Sequence, residues 1–175
     1  MKTLKIFLFL IIGLNIYSQK HLKTNSKAGK INITNWIKNE IGKDDLKNKN
    51  IALYFINTVP NTVDFDFIEN LNGLQSKIDK KNLIILTILI DDENNVQKQF
   101  FKNREINFSV GVDSKKIAQR RFGNKDGDIF LPLTILIDNK GFVKWIGLPY
   151  FVNLKLLNDF INGTITPYNM FDKQK

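Results

Sequence analysis

Residues 131–147 read LPLTILIDNKGFVKWIG. Two apolar segments, 133–137 and 142–146, flank Asp138-Asn139-Lys140-Gly141, a strong signal for two antiparallel strands joined by a tight turn. Upstream, 51–56 (IALYFI) is an unbroken apolar run and 83–90 (LIILTILI) is apolar but for Thr87, the pattern of central strands buried on both faces. Between them Phe67, Ile68, Leu71, Leu74, Gln75 and Ile78 recur at spacings of three and four, which predicts one amphipathic helix over 64–78. Asn61 or Thr62 can cap that helix, and Asp64 and Asp66 suit the positive end of its dipole.

The remaining segments extend the same alternation. Residues 31–36 alternate apolar and polar, enough for a short edge strand, and 38–50 form a charged connection. Residues 95–103 predict a helix carrying Val96, Phe100 and Phe101; 106–112 is extended; 114–122 is a short helix packed through Ile117 and Phe122. A last helix over 153–161 turns Leu154, Leu157, Phe160 and Ile161 inward and ends at Gly163. Strands alternating with helices, then a hairpin and a last helix, specify an α/β fold with a mixed central β-sheet flanked by helices. One domain over 31–163 is expected, preceded by a flexible leader at 19–30 and followed by a loosely held C-terminal tail at 164–175.

Composition excludes much chemistry. The 175 residues hold no Cys, so thiol redox, disulfides and Cys-based zinc or iron–sulfur sites are ruled out, and with one His, His21, neither a His-pair metal site nor a Ser-His-Asp triad is expected. No cofactor is expected. Lys2 and Lys5 precede an apolar run at 6–12, and Gly13, Asn15 and Ser18 follow it, the layout of a signal peptide over 1–18. The expected location is outside the cytoplasm, in the periplasm or cell envelope, with membrane contact only through that segment before cleavage. The formal charge is +9, with its Lys excess concentrated in a polar stretch over 20–49. That stretch lacks interleaved Arg and aromatics, so it is read as a solvated basic surface and not as a nucleic-acid interface. Asn124 with Asp126-Gly127-Asp128 lacks the spaced ligands of a calcium loop and is read as a turn.

The dipeptide Leu131-Pro132 before LTILID, the Asp138–Gly141 turn followed by FVKWIG, Thr34-Asn35-Trp36-Ile37 ahead of the first central strand, and Gly147-Leu148-Pro149 ahead of the last helix together resemble the thioredoxin-like superfamily. The match is nearest to its exported TlpA-like/redoxin branch, related to AhpC/TSA proteins, and covers residues 31–163. The resemblance implies a thioredoxin-like fold and, for the family, thiol–disulfide or peroxide chemistry. Pro60 and Val63 stand where the family's two cysteines would be, and no residue of the chain can form a thiolate. The resemblance also implies a cis bond before Pro132, with neighbouring backbone free to pair with an extended peptide.

Val59, Pro60, Phe130, Leu131 and Pro132 are therefore candidates for an apolar binding patch; alternatively they only cover the end of the sheet. Asp64, Asp66 and Glu69, with Asp91, Asp92 and Glu93, are candidates for a divalent cation or an acid/base pair, or else are dipole partners and solvated loop residues. Three functions follow from these alternatives. One is a non-catalytic accessory module that binds a protein or peptide partner in the cell envelope through the former redox face. The second is the family's oxidoreductase or peroxidase activity, against which the missing Cys argues directly. The third is a small-molecule or metal binder.

Overall fold

The two aliphatic runs lie side by side at the centre of the sheet. The computed structural model describes residues 22–31, 33, 35–42, 44–56, 65–90, 95–113, 115–123, 129 and 132–172. Along these residues the elements are β1 (Asn35–Lys38), β2 (Asn50–Ile56), α1 (Phe65–Lys77), β3 (Leu83–Leu89), α2 (Asn95–Lys102), β4 (Ser109–Val112), α3 (Ile117–Phe122), β5 (Leu133–Ile137), β6 (Val143–Gly147), α4 (Leu154–Ile161) and β7 (Tyr168–Asn169). The sheet has seven strands in the order β1-β4-β3-β2-β5-β6-β7. β2, β3 and β4 run parallel, and β5 and β6 form the antiparallel hairpin beside β2. This is the mixed α/β sheet that the sequence pattern predicts.

Both faces of the sheet are covered, which explains why the central strands are apolar at nearly every position, Thr87 and Thr134 being the buried exceptions. On one face Ala52, Tyr54, Ile56, Leu83, Ile85 and Leu89 pack with Ile68, Leu71, Leu74 and Ile78 of α1, Phe101 of α2 and Leu157 and Phe160 of α4. On the other, Ile51, Leu53, Phe55, Ile84, Leu86 and Ile88 pack with Ala118 and Phe122 of α3 and with Ala28.

Gln75 belongs to the inward stripe of α1 but acts as a bracket. It is buried; its Nε2 donates to Ile78 O (3.1 Å) and Leu83 O (3.3 Å), and its Oε1 accepts from Ile85 N–H (3.0 Å). Ile85 precedes the stretch of β3 that pairs with β4, which begins at Leu86. The side chain thus bonds polar groups at the helix end and the strand start that burial would otherwise strand. Asp113, also buried, holds the start of α3 by accepting from Ile117 N–H (2.8 Å) and Gln119 N–H (2.7 Å).

Several boundaries differ from the sequence expectation. Residues 22–30, expected within a flexible leader, are bonded to the hairpin. Asn25 N–H donates to Val143 O (2.7 Å), Val143 N–H to Ser26 O (3.0 Å) and Ala28 N–H to Gly141 O (3.0 Å). Lys27 forms an antiparallel bridge with Phe142 and places its ammonium 4.1 Å from the centre of that ring. Together with β7, which pairs with Trp145 and Ile146, this strip covers the outer edge of β6. The tail expected to be loose is therefore paired at Tyr168–Asn169. β1 begins at Asn35, later than expected, because Asn35 and Trp36 are the residues that face Val112 and Gly111 of β4. The hairpin turn is closed by Asp138, whose carboxylate accepts from the N–H groups of Lys140 (3.0 Å) and Phe142 (2.8 Å), with Gly141 at φ 79°. The proposed signal peptide lies outside the described residues.

Replacing Gln75 by Leu keeps the volume but removes all three bonds to buried backbone. Gln75→Leu should lower stability by about 1–3 kcal/mol, read as a reduced urea midpoint with unchanged slope. An unchanged midpoint would mean that the bracket contributes nothing.

Candidate functional site

Topology gathers several chain segments at one end of the sheet. β2 and β3 are parallel and finish together, Ile56 opposite Leu89. β5 runs the other way, so its start, Leu133, lies beside Phe55, and the end of β6, Gly147, lies beside Thr134. The chain entering β5 through Pro132 and the chain leaving β6 through Leu148 and Pro149 therefore share this edge. α1 begins at Phe65, after the connection from Ile56. Crevices beyond the carboxyl ends of parallel strands are where open α/β sheets usually bind ligands.

Of the residues that the sequence singled out here, Pro132 is described and half-buried, directly ahead of β5. Val59, Pro60, Val63, Phe130 and Leu131 lie outside the described residues, as does the Leu131–Pro132 peptide bond. Their flanks, Ile56, Phe65 and Pro132, are what the fold brings to this end. Of the acidic candidates, Asp66 and Glu69 are exposed on the first turns of α1, while Asp64 and Asp91, Asp92 and Glu93 lie outside the described residues. Among the described residues no group of three or more His, Cys, Asp or Glu could hold a metal ion.

The structure adds two aromatics that the sequence reading missed. Between β6 and α4 the chain makes a single 3-10 turn at Pro149–Phe151, closed by Phe151 N–H to Leu148 O (3.1 Å) and Val152 N–H to Pro149 O (2.9 Å). Asn153 then caps α4, its side chain accepting from Leu156 N–H (2.9 Å). This geometry buries Pro149 but leaves Tyr150 78% and Phe151 61% exposed, the two most exposed large hydrophobic side chains among the described residues. The available signal was their place in a Pro-led turn ahead of a cap, outside the inward stripe of the last helix.

Tyr150 and Pro149 also line a cleft of about 210 Å³ against Phe67, Asn70 and Leu71 of α1, with Tyr54 of β2 among its lining residues. The Tyr54 ring meets Phe67 edge-on at 6.1 Å between centroids and 76° between planes. Its hydroxyl is buried and has no hydrogen-bond partner among the described residues. Thr87 and Thr134, its register partners on β3 and β5, are likewise buried with unpartnered hydroxyls. Burial pushes the Tyr54 phenol well above its ordinary pKa of 10.0, so it stays protonated and supplies neither a base nor a nucleophile. The cleft offers shape and aromatic surface, with Asp66 and the exposed Tyr150 in its lining.

Comparison with known proteins agrees with this architecture. The AhpC/TSA family matches residues 24–146, a span that begins within the strip bonded to the hairpin. A proposed thiol:disulfide interchange protein DsbE from Chlorobium tepidum superposes with a TM-score of 0.64 at 19% identity, covering 82% of this chain and 99% of that one. A thiol-disulfide isomerase from Corynebacterium glutamicum gives 0.59 at 17% identity, over 82% and 98%. A secreted Mycobacterium tuberculosis disulfide oxidoreductase gives 0.53 at 13% identity, over 77% and 96%. No curated protein sequence matches the chain significantly. At such identities the structural likeness establishes the fold, and the family match covers most of the chain. This chain thus belongs to the AhpC/TSA family and has its thioredoxin-like fold, without a single cysteine in 175 residues.

Proposed function

We propose that this chain is an exported, redox-inactive member of the family that binds a protein or peptide partner of the cell envelope at the end of the sheet marked by Pro132 and the Pro149–Phe151 turn. The observation that carries the reading is the pair of exposed aromatics, Tyr150 and Phe151, held on a closed turn beside the strand ends. Exposed aromatic side chains on a rigid support are the usual anchors of recognition surfaces. The neighbouring cleft would accept one side chain of the partner against Phe67, Leu71 and Tyr150. Backbone before Pro132 would add an extended segment by strand pairing.

The redox half of the reading rests on composition. Disulfide exchange begins with a thiolate attacking sulfur, and thiol-dependent peroxide reduction begins with a thiolate attacking oxygen. Neither step has a starting group here. Export is supported by the basic start and apolar run ahead of Ser18, and by a secreted protein among those of the same fold.

The purified protein should leave insulin disulfides and hydrogen peroxide at background rates in the presence of a thiol reductant. The double substitution Pro60→Cys/Val63→Cys should give measurable exchange, since a thiol near the start of α1 has its pKa lowered by the helix. Turnover by the unsubstituted chain would overturn the redox half.

Binding is tested by capture from an envelope extract followed by titration of the captured partner. Tyr150→Ala/Phe151→Ala should fold normally and bind roughly 30-fold more weakly, as expected for loss of about 2 kcal/mol of anchor contacts. Tyr54→Phe should leave stability unchanged or raise it by about 1 kcal/mol, because an unpartnered buried hydroxyl is removed, and should leave capture unchanged. Equal capture by the aromatic double variant would place the interface elsewhere.

A further inference from the structure

A second concave surface lies at the opposite end of the sheet, about 20 Å away along β2. There Ile51 pairs with Ile137, and three segments stand around them: residues 29–31, the loop at 44–49 and the hairpin turn at 138–141. They enclose a groove of about 850 Å³, within the size range of small-molecule sites. Aliphatic side chains line it, from Ile31, Leu46, Ile51 and Ile117. So do five cationic ones, Lys30, Lys47, Lys49, Arg121 and Lys140, against two carboxylates, Asp44 and Asp138.

Both carboxylates are already engaged. Asp44 pairs with Lys47 at 2.7 Å. Asp138 accepts two backbone N–H groups of its own turn and lies 3.6 Å from the Lys144 ammonium. Lys30, Lys49, Arg121 and Lys140 are left with no carboxylate partner among the described residues. The Lys49 ammonium donates to Lys81 O (3.1 Å) and the Arg121 guanidinium to Lys30 O (3.3 Å), so two of the four are held in place by backbone. Arg121 also lies directly over Gly29, where any Cβ would collide with the guanidinium. The wall of the groove depends on that close approach.

We propose that this groove binds a single-chain anionic amphiphile, a phosphate or carboxylate head on an aliphatic chain, taken up as a monomer. The head group is selected by four like charges that have no carboxylate partner among the described residues, and the chain by the aliphatic lining between them. A small inorganic anion would use the charges and leave the lining wet; a neutral lipid would do the reverse. Uptake as a monomer follows from shape: the aliphatic lining lies between walls on three sides, at residues 29–31, 44–49 and 138–141, that a flat bilayer surface cannot enter.

Isothermal titration of the purified protein with dodecyl phosphate, below its micelle concentration, tests this. One saturable site is expected, with inorganic phosphate and dodecyl maltoside each binding at least tenfold more weakly. Lys30→Glu/Lys140→Glu should weaken dodecyl phosphate at least tenfold, and Lys30→Gln/Lys140→Gln repeats the measurement should charge reversal impair folding. Lys77→Glu/Lys102→Glu, a charge-matched control on helices of the opposite face, should change binding less than twofold. Equal weakening by the control would reduce the effect to net charge and overturn the site. Inorganic phosphate binding as tightly as dodecyl phosphate would overturn the role of the aliphatic lining. Binding to phosphatidylglycerol vesicles without binding of the monomer would overturn uptake into the groove.

Discussion

The parallel pairing of β2 with β3 is the constraint on which the other elements depend. Seven consecutive register pairs, from Asn50 opposite Leu83 to Ile56 opposite Leu89, join two strands whose side chains are buried on both faces almost throughout. Each fully buried Leu, Ile or Phe there contributes about 1.5–3 kcal/mol relative to exposure. A parallel pair demands a crossover, and α1 supplies it, bracketed to β3 by Gln75. Once both faces must be dry, the outer strands, the other helices and even residues 22–31 are recruited as cover.

That order of dependence explains what could be read from the sequence. The apolar runs at 51–56 and 83–90, the stripe of α1 and the Asp138–Gly141 turn each carry their own local signature, and all four take their expected form. Residues 22–31 carry none. They are held through main-chain groups of Asn25, Ser26 and Ala28 bonding to Val143 and Gly141, and backbone bonds leave no mark on side-chain periodicity. The same holds for the short β7. Gln75 was visible as a member of the inward stripe, but its bonds to three separate backbone groups were not.

The candidate site was legible only in part, for a related reason. Pro132 ahead of an apolar strand points to the end of the sheet, and the register of β5 with β2 and β6 places it there. Tyr150 and Phe151, by composition, look like core residues. Their exposure follows from a three-residue turn closed by Leu148 and Pro149 and fixed by the cap at Asn153, which a count of apolar residues cannot register. With no thiolate possible, the described residues at the site end offer convergent strand ends, aromatic surface and the carboxylate of Asp66. These are the means of recognition, which is why binding is the function proposed for it.

Stability and recognition are thereby assigned to different parts of one sheet. Native-state amide hydrogen exchange tests that separation most directly. Amides of β2 and β3 should exchange only through global unfolding, while those of residues 148–151 and of the first turn of α1 exchange through local opening at lower free energy. Protection at 148–151 equal to that of β2, or sub-global exchange of β2 itself, would contradict it.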